Sequence, residues 1–124
     1  MKNTLGLVFF PAFDWMISPT HPERQERLLY TRDQLEEEGL FDCEEIKEYR
    51  PRLAQINDLQ RAHIGVPGIA RLITPAHLAS AGGCLTAADA VMRGEVKRAF
   101  ALVRPPGHHA MRVVHGIRGF CTVN

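Results

Sequence analysis

Two adjacent histidines, His108 and His109, close the stretch RPPGHHA that begins at Arg104. An imidazole with an ordinary pKa of about 6.5 can take a proton and return it near neutral pH, so a pair of them is equipment for general acid–base chemistry. Pro105 and Pro106 fix φ, and Gly107 lets other backbone approach closely, so the two rings can be aimed at one place. The stretch before them, RAFALV, reads as a buried strand, which puts the pair on a loop leaving a strand end, a common location for catalytic groups in α/β folds. The competing reading is a solvated turn that happens to contain histidine. Of the other histidines, His63 and His77 read as structural, His21 as an N-cap or loop residue, and His115 has no ligand spacing with anything.

The elements that must carry this loop follow from local signals. TLGLVFF, ended by Pro11, is a continuous apolar run suited to a buried strand. HPERQERLLYTRDQLEEEGL predicts a helix with Pro22 in its first position, Glu23 at the positive end of the dipole, Leu28 and Leu35 on one face, and Gly39 as the stop. CEEIKEYRPRLA holds a short extended piece ending before Pro51. NDLQRAH reads as a short helix capped by Asn57, and IGVPGIARLI as a loop. Thr74 and Pro75 open a second long helix that runs to Gly94, with Leu78, Leu85, Ala88 and Met92 spaced to share a face. Gly82 and Gly83 inside it cost on the order of 1 kcal/mol each relative to alanine, which implies that another backbone packs there. VKRAFALV is the next strand and GFCTV the last. The pattern is α/β with a mostly parallel sheet.

Bulk properties narrow the setting. The chain has 124 residues, 45% hydrophobic and 23% charged, with net charge +1. That suits one globular domain and gives no electrostatic case for nucleic acid or a membrane surface as partner. The N-terminal apolar run is broken at Pro11 and Asp14, too short to span a bilayer and without a cleavage pattern. Cys43, Cys84 and Cys121 are odd in number and form no C-x-x-C pair, which points to a reducing, cytoplasmic setting.

RAFALVRPPGHHA followed by GFC resembles the signature of the histone deacetylase superfamily, which includes acetylpolyamine amidohydrolases and acetoin-utilisation proteins. SPTHPERQERL is similar to an early HPE-type motif of that family, and AGGCLTAADAVMRGE resembles the helix preceding the signature. The resemblance implies a fold, namely the N-terminal part of an arginase/deacetylase-like three-layer α/β domain, with residues 1–124 as a single partial domain. It implies an activity, the zinc-dependent hydrolysis of acetyl-lysine or a similar acyl amide. It also implies roles. His108 and His109 would be the paired active-site histidines, with His109 the general base. Gly119, through its carbonyl, and Phe120, through its ring, would line the acyl-lysine channel. Arg27 would line an internal channel near the metal. Phe120 reads equally as a core aromatic and Arg27 as a surface charge on a helix; Cys121 reads as a small buried residue.

The same resemblance places the metal ligands after the signature, as an Asp-x-His pair and a later aspartate, and no D-x-H occurs in these 124 residues. A catalytic zinc lowers the pKa of its bound water from about 15.7 to roughly 7. Histidine acid–base help of about 10²–10⁴-fold does not replace that. The expectation is therefore no metal site and no cofactor in this chain, zinc belonging to a full-length domain. A site built from His108, His109 and His115 is disfavoured because adjacent histidines fit one tetrahedral ion poorly. Two functions follow: the N-terminal segment of a deacetylase-like amidohydrolase, inactive alone, or a non-catalytic remnant acting as an oligomeric interaction module. If GFCTVN ends in a central strand, Phe120, Cys121 and Val123 present an open edge, and the expected partner is a second copy or a complementary C-terminal half.

Overall fold

The computed structural model describes residues 4–64, 72–112 and 121–124. Strand β1 (Leu5–Phe10) lies at the centre of a three-stranded sheet, between β2 (Ile46–Tyr49) and β3 (Arg98–Val103), and pairs in parallel with both. Its registers run Leu5 to Ile46 on one side and Leu5 to Arg98 on the other. A parallel sheet needs crossovers that bring helices onto its faces, so both faces of β1 are apolar.

Helix α1 (Gln25–Glu37) makes the β1-to-β2 crossover with a short 3-10 turn at Leu40–Asp42. Helices α2 (Ile56–Ala62) and α3 (Pro75–Met92) lie between β2 and β3. The side chains of β1 alternate. Leu5 and Leu7, with Phe100 and Leu102, face a cavity walled by Leu35 of α1 and by Leu40 and Phe41. Val8 and Val103 face Gly83 of α3 on the other side. Helix, sheet and helix form the three layers expected of the α/β class.

Helix α3 reaches the sheet with small residues. Ala79, Gly83, Ala87 and Ala90 are buried. A Cβ on Gly83 would meet Val103 Cγ1 at 2.8 Å, and one on Gly82 would meet the Arg52 carbonyl oxygen at 1.6 Å. The two glycines thus mark close approach, as expected. The face shared by Leu78, Leu85, Ala88 and Met92 is not the one on the sheet. Leu78 and Leu85 pack beside α2, against Ala54, Leu59 and Val123, and Met92 is 84% exposed. Large side chains would have held the helix away from the strands, so the sheet takes the small stripe and the leucines fill a second cluster.

Three other boundaries differ from expectation. Helix α1 starts at Gln25, after the extended N-cap Arg24, so Pro22 and Glu23 lie outside it; the Glu23 carboxylate is drawn to Arg104 instead. Its end agrees, with Gly39 in the left-handed region at φ 76. Helix α2 is capped by Gln55 in a reciprocal pairing with Asp58, not by Asn57, because Asp58 reaches back to the Gln55 amide at 2.8 Å. Finally, the described part of GFCTV forms no strand: Cys121 makes an isolated bridge, and residues 122–124 fold onto Gly107, His63 and Ala110. Cys121 and Val123 are buried, so these two residues present no open edge.

Candidate active site

The His108–His109 turn leaves the end of β3 and is held at three points. Arg104, 0% exposed, is the first: it runs back to the β1–α1 connection, where Nη1 donates to the carbonyls of Pro11 and Ala12 at 2.7 Å each. Its Nε and Nη2 donate to the two Glu23 carboxylate oxygens at 3.0 to 3.2 Å. The second is Ser80 of α3, whose hydroxyl donates to the Pro105 carbonyl at 2.7 Å. The third is Gly107, which lies so close to Val123 that a Cβ would come within 1.6 Å of its carbonyl oxygen. The Arg104–Pro105 peptide is cis. The Ala110 amide closes the turn on the Gly107 carbonyl at 2.9 Å.

On this turn the two imidazoles are exposed and tilted by 52°, with ring centroids 4.2 Å apart. His108 lines a cavity of about 410 Å³ together with Arg27, His77, Ser80, Cys84 and Pro106. Arg27 therefore shares the cavity with His108, while its guanidinium is largely exposed and donates to Glu23 Oε1 at 3.4 Å. His109 stands beside His108 without lining the cavity. Gly119, Phe120 and His115 lie outside the described residues.

Three residues on the cavity wall were not foreseen there. His77, Ser80 and Cys84 are spaced by three and four, which puts them on one stripe of α3, and that spacing was the available signal. His77 is buried and belongs to the N-terminal cap of α3, its Nδ1 accepting from the Thr74 amide at 3.0 Å. Burial holds its pKa below the ordinary 6.5, so it stays neutral, with the proton on Nε2. That Nε2 has no hydrogen-bond partner among the described residues, and the ring meets Trp15 edge-on at 5.7 Å. Cys84 is exposed as a residue, and partial desolvation of its sulfur against the cavity wall pushes the thiol pKa up.

His63 is structural. Its Nδ1 bonds the Met111 carbonyl at 2.8 Å, and its Nε2 accepts the Asn124 amide at 2.9 Å. His21 sits in the loop before α1, with Nδ1 accepting from the Glu23 amide at 3.0 Å.

Residues 69–124, which include this turn, match the histone deacetylase domain model. A probable deacetylase of Archaeoglobus fulgidus is 40% identical over 125 residues, covering 86% of this chain. The chain belongs to the histone deacetylase superfamily. The crystal structure of the HDA15 HD domain superposes on it with a TM-score of 0.75 at 26% identity, covering 98% of this chain and 40% of that one. Polyamine deacetylase HDAC10 of Danio rerio is 49% identical over 45 residues, which is 36% of this chain and 6% of that protein. The chain spans 34% of the length of the Archaeoglobus relative, a partial coverage that fits the N-terminal portion of a deacetylase domain. Among the described residues of this family member, no helix is long and apolar enough to cross a membrane.

Proposed function

We propose that this chain supplies the histidine-bearing portion of a deacetylase that hydrolyses acetyl-lysine or a similar acyl amide. The observation that carries the reading is His108 on the wall of a 410 Å³ cavity with the His109 ring 4.2 Å away, on a turn fixed at Arg104, Pro105 and Gly107. His109 acts as the general base. It takes a proton from water as the new C–O bond forms, and returns it to the amine as the C–N bond breaks. His108 stands beside it on the cavity wall. By the family resemblance, Gly119 and Phe120, outside the described residues, are assigned to the acyl channel, and Arg27 lines the cavity with His108.

The family implies zinc. The described residues contain no group of three or more His, Cys, Asp or Glu side chains able to hold a metal, so they do not fit that ion, and no step here runs through it. The expected outcome for the chain alone is no turnover of an acetyl-lysine peptide and less than one zinc retained per chain after dialysis. Activity appears on mixing with a complementary C-terminal half and is lost in His109→Ala. Zinc-dependent turnover by the single chain, or full activity of the complemented His109→Ala variant, would overturn the reading. The three cysteines, free of disulfides, support a cytoplasmic setting.

A second reading, an oligomeric interaction module, draws on one feature. The sheet face of Leu5, Leu7, Phe100 and Leu102 borders an apolar cavity of about 310 Å³, and Phe100 is 58% exposed. Light scattering across a dilution series tests for a homo-oligomer; a monomer throughout would exclude it.

A further inference from the structure

We propose that Glu23 is a positioning residue for the His108–His109 turn, acting through the buried guanidinium of Arg104. The inference rests on reading His108 and His109 as the acid–base pair. Arg104 spends its N–H donors on a single short segment. Two go to the Pro11 and Ala12 carbonyls, and the rest go to the carboxylate and, at 3.5 Å, the carbonyl of Glu23. A guanidinium with no access to water requires a counter-charge, and Glu23 supplies it across 81 positions of sequence. The indole of Trp15 covers the same cation at 5.3 Å.

Both ends of this contact are specific. Ala12 sits at φ 53, a conformation that L side chains rarely adopt, and its carbonyl there points at Arg104. Arg104 is followed directly by Pro105, Pro106 and Gly107, whose restricted backbone leaves little play between the guanidinium and the imidazoles. The second function of Glu23 is at Oε1, which also receives Arg27 Nη2 at 3.4 Å, so one carboxylate sets both the turn and the arginine on the cavity wall. An HPE-type segment otherwise without work in the chemistry thereby fixes the geometry of the residues that do it.

The test compares the full chain with Glu23→Gln, which keeps the size and an acceptor but removes the charge. Amide hydrogen exchange at Ala110, bonded to the Gly107 carbonyl, is expected to accelerate about tenfold, the effect of losing one charge-assisted bond. The His108 and His109 ring resonances shift with it, while the amides of α3 keep their protection. Equal acceleration in α3 would show a general loss of stability and overturn the proposal, as would unchanged histidine rings. If Glu23→Gln does not fold, Glu23→Asp, with the charge kept at shorter reach, carries the same comparison. No activity enters this measurement, so it fails independently of the His109→Ala assay.

Discussion

The backbone amide of Asn124 donates to Nε2 of His63, 61 positions earlier, at 2.9 Å. Because that nitrogen accepts, the His63 proton sits on Nδ1 and is given to the Met111 carbonyl at 2.8 Å. One imidazole thus ties α2 to the segments on either side of residues 113–120. Replacing His63 by Phe keeps the volume and leaves an N–H and a carbonyl without their partner. We expect a loss of about 2 kcal/mol or more in urea unfolding. An unchanged midpoint would mean that neither bond contributes.

Glycine in α3 answers to backbone contact. Gly82→Ala drives a Cβ to 1.6 Å from the Arg52 carbonyl oxygen, an atom that cannot move without the chain. A loss of about 3 kcal/mol in stability is expected, more than the gain in helix propensity returns. Gly94→Ala meets nothing within 4 Å and is penalised only by φ +73, about 1 kcal/mol. Paired thermal melts read the order of the two variants.

The pH response follows from His77. Its pKa is lowered in the folded chain by burial, so the unfolded chain binds more protons below pH 6.5. The contribution of His77 is complete above that value and is lost as pH falls through the window below it. His77→Gln retains a side chain able to complete the cap with Thr74 and does not titrate. The difference in urea midpoint between wild type and His77→Gln should narrow on acidification from pH 7 to pH 5. A constant difference would remove His77 from the acid response.

If the open sheet face drives association, Phe100→Lys should abolish it. Phe100 stands 58% exposed beside Leu102, and a charge there opposes burial by any second surface. Sedimentation of the variant at the concentration where wild type associates would show monomer; unchanged assembly would place the interface elsewhere.

Local rules were enough for much of this molecule. The apolar run of β1, the Thr74–Pro75 opening of α3 and the Gly39 stop depend on neighbours within a few residues, and sequence expresses such preferences directly. The RPPGHHA stretch likewise announced a histidine pair on a turn leaving a strand end. Tertiary structure decided what distant partners control. Arg104 took Glu23 out of the helix start it was suited to, because a buried guanidinium needs an anion more than a dipole does. Helix α3 turned its alanines and glycines to the sheet and its leucines to α2, a choice set by the distance between layers. Beyond the Cys121 bridge, Val123 packs on Gly107 and Asn124 bonds His63 and Ala110, partners that no period in the sequence announces.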